Sequence, residues 1–327
     1  MPQIADRANL SNAFWRASRG KRETPAVMAF ASRLDAELAA MSRELLADSY
    51  VLGRFSRFSI RDPKPRVIHA ACFRDRVLHH AIINVCGPYF ERGATSDSYA
   101  CRIGKGNHAA LKRARGFSTS GEWRLKLDVR RFFDTVDHET LVAGFTRLFK
   151  DAALLRLLGK IVSAYSTAPG RGIPIGALTS QYFANYYLDS LDHFVKSRLR
   201  CRKYVRFMDD FVLWHPDPDQ LAVWQDDVRS FLAERLKLEV KSLPGPRRVD
   251  DGMDFLGYSI LPDKVLLSRA ARTRYVARLA ALQEDFKSGK TCEAELQCRA
   301  NALAAHAEFA SSFAWRRRTL SRLLDYA

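Results

Sequence analysis

Hydrophobic and polar positions alternate in short stretches of this chain, as is typical of β-strands. The clearest is WRLKLDV at 123–129, where four apolar side chains share one face: Trp123, Leu125, Leu127 and Val129. This pattern predicts a half-buried strand with one acid, Asp128, near its end on the polar face. The segment KYVRFMDDFVLW, 203–214, predicts two short strands around a turn, and FLGYSILPDKVLL, 255–267, is β-like.

Elsewhere, apolar residues recur at helical spacing. The predicted helices cover 26–48, 73–90, 140–165, 181–199, 221–236 and most of 268–327. Asp137 is the expected N-cap of the helix that follows it. Prolines at 63 and 65 exclude a central strand there and predict a turn. A glycine-rich loop, GRGIPIGALTS at 170–180, precedes the helix at 181–199.

The charge of the chain indicates a polyanionic partner. Lys and Arg number 53 against 36 acids, which gives a net charge of +17. So large a cationic excess favours nucleic acid. The run between Tyr99 and Gly121 carries cations without acids, which predicts either a phosphate-facing surface or a solvated helix face. Its cations are Arg102, Lys105, Lys112, Arg113 and Arg115.

Several classes are disfavoured. No stretch approaches the ~20 consecutive apolar residues of a membrane span. The first residues lack an apolar signal region, so we expect a cytoplasmic protein. The six cysteines form no C-x-x-C pair, which argues against a zinc site, and reduced thiols are expected.

Candidate chemistry lies in three carboxylates. Asp128 ends one predicted strand, and Asp209 and Asp210 lie together in an otherwise apolar β-like run. A turn there can bring both to one rim, where burial without cations would be costly. Clustered carboxylates supply the hard oxygen ligands that Mg²⁺ requires. Two such ions can activate a 3′-hydroxyl and stabilise the departing pyrophosphate.

These motifs resemble those of reverse transcriptases. Phe207-Met208-Asp209-Asp210 resembles the family's Y/F-x-D-D motif, and LKLDVRRFFDTVDH, 125–138, resembles its preceding aspartate motif. GIPIGALTSQYFANYYLDSLD, 172–192, is similar to the loop and helix that grip template and nucleotide. DFLGY, 254–258, resembles the hairpin that contacts the primer end. The motifs occur in the family's order, between about residues 60 and 267.

The resemblance implies the metal ligands and a nucleotide site. Asp128 and Asp209 would bind two Mg²⁺ ions, with help from Asp210 and the Val129 carbonyl; Mn²⁺ is an alternative. Phe133 would be the steric gate that rejects a ribose 2′-hydroxyl and favours dNTPs. The other expected nucleotide contacts are Lys64 and Arg66 on the triphosphate, and Ile175, Gly176 and Gln181.

Template and primer contacts follow from the same resemblance. They comprise Asn185 and the hairpin residues Phe255, Leu256, Gly257 and Tyr258. Many members of the family have a lysine, a candidate general acid for pyrophosphate, where this chain has Leu243. Lys241 lies two residues away and could replace it after a loop shift.

One segment resembles a subfamily, the reverse transcriptases of diversity-generating retroelements in bacteria and phages. Most reverse transcriptases have glutamine before the loop glycine, whereas this chain has Ile175-Gly176 followed by Ser180-Gln181. The resemblance implies error-prone copying of a template-repeat RNA, with errors opposite adenine. It also implies a partner, a small basic helical accessory protein that forms a pentamer. Isoleucine cannot hydrogen-bond a nucleotide, which is compatible with weak discrimination.

The implied fold is α+β, a right-hand polymerase with fingers, an antiparallel palm sheet and a helical thumb. We expect the N-terminal helical part of the fingers at 1–60, fingers at 61–120, palm at 121–262 and thumb at 263–327. Template RNA, a cDNA primer and dNTPs are the expected ligands.

Three alternatives remain open from the sequence. The first is a phage-defence or group II-like reverse transcriptase. The second is a non-catalytic RNA-binding scaffold with the polymerase fold, which retention of all three aspartates disfavours. The third, an RNA-dependent RNA polymerase, is disfavoured by Phe133.

Overall fold

The computed structural model describes residues 1–61 and 65–325, with side chains to 321. Lys64, an expected triphosphate contact, lies outside the described residues. The helices are α1 Pro2–Ala5, α2 Arg7–Ser18, α3 Pro25–Ala31, α4 Leu34–Leu46, α5 Phe73–Gly93, α6 Asn107–Phe117, α7 Phe132–Thr135, α8 His138–Leu148, α9 Ala152–Ser163, α10 Leu178–His193, α11 Pro218–Leu236, α12 Arg269–Lys287, α13 Glu293–Glu308 and α14 Phe313–Asp325. The strands are β1 Ser56–Arg61, β2 Pro65–Ala70, β3 Trp123–Asp128, β4 Lys203–Phe207, β5 Asp210–His215, β6 Arg247–Arg248, β7 Met253–Phe255, β8 Tyr258–Ile260 and β9 Val265–Leu267.

The central sheet has the order β4-β5-β3-β6 and is antiparallel. Strands β4 and β5 form the hairpin that the sequence predicts at 203–214. Beside it lie a three-stranded antiparallel sheet, β7-β8-β9, and a separate hairpin, β1-β2. Helices and antiparallel strands together confirm the α+β class.

Two hydrophobic cores cover the two faces of the central sheet. One face of β3 and β5 packs on α8 to α11 and, through α5, on the N-terminal helices. Val212 and Trp214, on the other face of β5, pack with α6, the β7-β8-β9 sheet and α12. Both faces of the sheet are therefore buried, whereas the alternation in β3 predicted one open face.

Local chemistry explains where several helices begin. The Asp137 carboxylate accepts a hydrogen bond from the Thr140 N–H at 2.9 Å, which confirms the expected N-cap of α8. Asp151 caps α9 in the same way, so the predicted helix at 140–165 is two helices. The predicted helix at 26–48 is also divided, into α3 and α4, by a turn at Ser32 and Arg33.

Within the described ranges, every helix is too short or too polar to cross a bilayer.

Candidate active site

Three aspartates meet at one end of the central sheet. Asp128, at the end of β3, lies opposite Asp210, the first residue of β5. Asp209 precedes it in the β4–β5 turn, and its carbonyl accepts a hydrogen bond from the Val129 N–H at 3.2 Å. The antiparallel register thus brings together carboxylates that are about 80 positions apart in the sequence.

A buried arginine holds the turn that carries two of these acids. The Arg206 guanidinium donates to the Met208 carbonyl at 3.1 Å, and Met208 has a left-handed φ of 56°. Two further bonds, both 2.6 Å, join Arg206 to the Asp192 carboxylate, and both side chains are fully buried. Tyr204 donates to the same carboxylate at 2.8 Å. The strained turn therefore rests on a satisfied buried ion pair.

The carboxylates of the site carry more negative charge than the nearby cations neutralise. Burial, and then the neighbouring Asp128, raises the pKa of Asp209. Burial also raises the pKa of Asp210 to about 6, although Lys126 opposes this shift with an ammonium 3.0 Å away. Asp210 Oδ1 is buried without a hydrogen-bond partner. A cation bound here would relieve these costs.

The described residues contain no group of three His, Cys, Asp or Glu side chains arranged to hold a metal. Lys126 also pairs with one Asp210 oxygen. Mg²⁺ is commonly held by one or two protein carboxylates, with water and substrate phosphates completing its shell. Asp128 and Asp209 fit that requirement, with Asp210 as a buried neighbour.

Two cations border the carboxylates. The charge of Arg66, on β2, lowers the pKa of Asp209 against the effect of burial. The Lys241 ammonium lies 3.3 Å from Asp128 Oδ2, and its backbone N–H donates to the Asp128 carbonyl at 2.8 Å. Lys241 thus reaches the carboxylates with no loop shift.

The glycine-rich loop joins the β1–β2 hairpin to the site. The His69 N–H donates to the Ile175 carbonyl at 2.9 Å. Gly176 has a φ of +114°, and a Cβ there would lie 2.7 Å from Ile68 Cγ2. Both the backbone conformation and the close approach of β2 therefore require glycine at this position.

Phe133 and Gln181 flank the same loop. The Phe133 carbonyl accepts a hydrogen bond from the Ile173 N–H at 2.8 Å, and its half-buried ring packs on Phe132. Gln181 is half-buried in the first helical turns of α10. Phe133 and Gln181 thus lie next to the loop that carries Ile175 and Gly176.

Asn185 has a structural environment. Its amide nitrogen donates to the Ala100 carbonyl at 2.7 Å, and its oxygen accepts from Arg206 at 3.2 Å. Both ends of the amide are thus engaged by protein, which leaves this side chain poorly suited to the expected template contact.

The hairpin expected at the primer end needs a similar revision. Phe255 and Tyr258 are only 1% and 0% exposed, and the Tyr258 hydroxyl donates to the His306 carbonyl at 2.7 Å. Leu256 and Gly257 form the two-residue turn between them, both with positive φ. Of the four residues expected at the primer, only the turn residues Leu256 and Gly257 remain available, because the flanking rings belong to the core.

Sequence reasoning missed Lys126 and Arg206 as parts of the site. Their signal is a cation inside a largely apolar stretch that folds as a strand, where a buried charge requires a partner. The aspartates also do not lie in the prominent groove of the protein surface. A large open groove, about 1240 Å³, lies between α8, α10 and α11, and no member of the aspartate cluster lines it.

Comparison with known families identifies the central part of the chain. Residues 61–260 match the family "Reverse transcriptase (RNA-dependent DNA polymerase)". The matched segment is more than half of the chain and contains the aspartates, the glycine-rich loop and the β7–β8 hairpin.

Sequence identity to individual relatives is low. Protein YkfC of Escherichia coli K12 is 25% identical over 297 residues, which covers 76% of each chain. The group II intron-encoded protein LtrA of Lactococcus lactis is 27% identical over 143 residues, which covers 40% of this chain and 23% of LtrA.

Solved structures agree on the fold. Telomerase from Candida albicans, in complex with a fragment of telomeric RNA, superimposes with a TM-score of 0.50 at 12% identity. The match covers 72% of this chain and 51% of the telomerase. Apo telomerase from Candida tropicalis also gives 0.50 at 12% identity, with 71% and 54% covered. The fold is that of a right-hand polymerase, and the chain spans about half the length of these proteins.

Proposed function

The chain belongs to the reverse transcriptase (RNA-dependent DNA polymerase) family of enzymes, and from this premise we propose that it copies RNA into DNA by two-metal phosphoryl transfer. The observation that carries the proposal is the pairing of Asp128 with Asp210 beside the buried Asp209, at one end of the central sheet. Template RNA, a primer and dNTPs are the ligands that this activity needs.

The aspartates account for the metal requirement. Asp128 and Asp209 would hold two Mg²⁺ ions, with the Val129 carbonyl as a further ligand, and Mn²⁺ suits the same oxygens. Metal held there would supply activation of the attacking 3′-hydroxyl and stabilisation of the leaving pyrophosphate. Asp210 adds negative charge next to the two proposed metal ligands, Asp128 and Asp209. Lys241, 3.3 Å from Asp128, is proposed as the proton donor to pyrophosphate.

The remaining side chains select and orient the nucleotide. Arg66 neutralises charge on the triphosphate, and Lys64 is proposed to assist it. Gly176 allows the backbone to approach the base pair, with Ile175 and Gln181 on either side. The Phe133 ring excludes a 2′-hydroxyl, so dNTPs are preferred over rNTPs.

We propose the same four-part division of the chain with two boundaries moved. A boundary at residue 60 would divide the β1–β2 hairpin, and one at 262 would separate β9 from β8. The fingers are better begun near residue 55, and the helical thumb near residue 268. The cations of the fingers and thumb would bind the RNA–DNA duplex through its phosphates, so binding should weaken as salt rises.

Primer extension on a defined RNA template, with Mg²⁺ and either dNTPs or rNTPs, tests the activity. We expect cDNA from dNTPs, and loss of the product in Asp128→Asn and in Asp209→Asn. Asp35→Asn is the matched control, because that carboxylate is 86% exposed and lies in the N-terminal helices. Extension that persists in both site variants would contradict the proposal and favour a non-catalytic RNA-binding scaffold.

We further propose a role in a diversity-generating retroelement. Ile175 supports it, because an apolar side chain beside Gly176 removes a polar contact to the nucleotide, which costs discrimination of about 1–3 kcal/mol. Errors would concentrate opposite template adenines, and a small basic helical pentameric protein would be the partner. Ile175→Gln should lower the error frequency in sequenced cDNA, and an unchanged spectrum would contradict this role.

A group II-like or phage-defence reverse transcriptase is the second candidate, favoured by the similarity to LtrA, an intron-encoded protein. The two candidates differ in the fidelity of wild-type cDNA. Accurate cDNA, unaffected by the basic accessory protein, favours this candidate over the retroelement.

A further inference from the structure

The polar face of β3 docks the small β7-β8-β9 sheet onto the central sheet. The Arg124 guanidinium donates to the Gly252 carbonyl, and the Lys126 ammonium donates to the Asp254 carbonyl at 2.8 Å. The two cations are two residues apart on β3, and the two carbonyls are two residues apart in the chain, with Gly252 directly before β7 and Asp254 within it. Alternate side chains of β3 thus bind alternate carbonyls of a segment that belongs to a different sheet.

Lys126 makes a second connection that Arg124 does not. Its ammonium lies 3.0 Å from Asp210 Oδ2, and 5.6 Å from the centroid of the Phe255 ring. One side chain, 30% exposed, therefore contacts both the aspartate cluster and the hairpin strand. Because an ammonium has three donors, it can serve the carboxylate and the carbonyl at the same time.

The contacts of Lys126 bear on the geometry of the reaction. Asp254 is two residues before the tight turn of the hairpin, which Leu256 and Gly257 form. Asp210 directly follows the turn between β4 and β5, formed by Met208 and Asp209, which is the aspartate turn. A two-residue hairpin with both central φ values positive is a stiff unit, so a restraint at its base also restrains its tip.

We propose that Lys126 is a positioning residue that fixes the distance between the aspartate turn and the β7–β8 turn, and with it the place of the primer 3′ end. The inference rests on the proposed polymerase function. In-line displacement tolerates little misplacement of the attacking oxygen, and an error of about 1 Å can cost roughly 100-fold in rate.

The neighbouring groups explain why the residue is a cation. Asp210 Oδ1 has no partner among the described residues, so removal of Lys126 would leave the carboxylate without its one ion pair. The Asp254 carbonyl would lose its donor too. Arginine can reach both acceptors, whereas methionine fills the space and donates to neither.

Single-turnover nucleotide incorporation in Lys126→Met, Lys126→Arg and Lys264→Met tests the proposal. We expect Lys126→Met to lower the maximal rate roughly 10–100-fold, with the dNTP concentration at half-maximal rate changed less than about 3-fold. Lys126→Arg should recover most of the rate. Lys264→Met is the matched control, because this exposed lysine at the β8–β9 turn pairs only weakly with Asp263 at 3.3 Å.

Hydrogen exchange of the backbone amides tests the same contacts and does not depend on polymerase activity. In Lys126→Met, amides of residues 253–258 and 209–211 should exchange roughly 10–100-fold faster, while those of α8 and α10 stay unchanged. Wild-type exchange in Lys126→Met would overturn the inference, as would an unchanged maximal rate. Should the wild-type protein incorporate no nucleotide, the proposed function fails, and exchange alone still decides whether Lys126 couples the two turns.

Discussion

Gly176→Ala should disconnect the β1–β2 hairpin from the glycine-rich loop while the rest of the fold stays intact. A φ of +114° costs a residue with a Cβ about 1–3 kcal/mol. The new Cβ would also lie 2.7 Å from Ile68 Cγ2, an overpacking cost of about 1–3 kcal/mol. The hairpin is held here by the bond from His69 to Ile175, and every residue of β1 is exposed. Moving the hairpin away is therefore the easiest relief.

This movement should lower the efficiency of dNTP incorporation, because Arg66, the proposed triphosphate contact, lies on the hairpin. If only about 2 kcal/mol of the strain is relieved by undocking, kcat/KM for the incoming dNTP should fall about 30-fold. Single-nucleotide incorporation on an RNA template measures it, and a thermal melt checks that the fold survives. Ile68→Ala in the Gly176→Ala background should recover about 1–3 kcal/mol, since Ile68 is half-exposed and its own loss costs little.

Gly106→Ala separates the clash from the backbone strain. Gly106 has a φ of +115°, but a Cβ there meets nothing within 4 Å. It should lose less kcat/KM than Gly176→Ala does. Equal losses in the two variants, additivity of Gly176→Ala with Ile68→Ala, or near-normal kcat/KM in Gly176→Ala would each refute the reasoning.

Three further predictions concern stability. Mg²⁺ should raise the melting temperature of the wild-type protein at pH 7.5 by about 2–4 °C, and that of Asp209→Asn much less, because the ion relieves the cost of the buried carboxylate. Equal shifts in both would place the ion elsewhere. Arg206→Met should lower the free energy of unfolding in urea by about 3–5 kcal/mol, since it leaves the Asp192 charge buried and unpaired. Asp192→Asn in that background should restore part of the loss, and a failure to do so would argue against the ion pair as its cause. Burial, and then Asp192, raises the pKa of Asp189 to about 6, above its unfolded value, so stability from this group is lost as pH rises from about 4 through 6. Melts should therefore show that Asp189→Asn stabilises the protein more at pH 7.5 than at pH 5, and an equal effect at both values would contradict the assignment.

The sequence alone determined most of the secondary structure and the family motifs with their candidate aspartates. Alternation specified β3, and a short apolar run interrupted by two acids specified the β4–β5 hairpin, because a strand's period of two is visible in a single segment. Asp137 fixed the start of α8 through a bond to a residue three positions away. The sequence predicts single helices where the structure has the pairs α3–α4 and α8–α9, because helical periodicity continues across a short turn.

Only the tertiary structure decided which residues pack against each face of a strand or helix. The polar face of β3 was expected in solvent, yet Arg124 and Lys126 bind carbonyls that lie 128 residues further along the chain. Asn185 was expected at the template, but its amide is taken by Ala100 and Arg206. Periodicity says which side chains share a face and carries no information about what covers that face. What covers a face depends on contacts between segments that are distant in the sequence. These contacts decide whether a polar side chain is free to bind a ligand or is bonded to the protein itself.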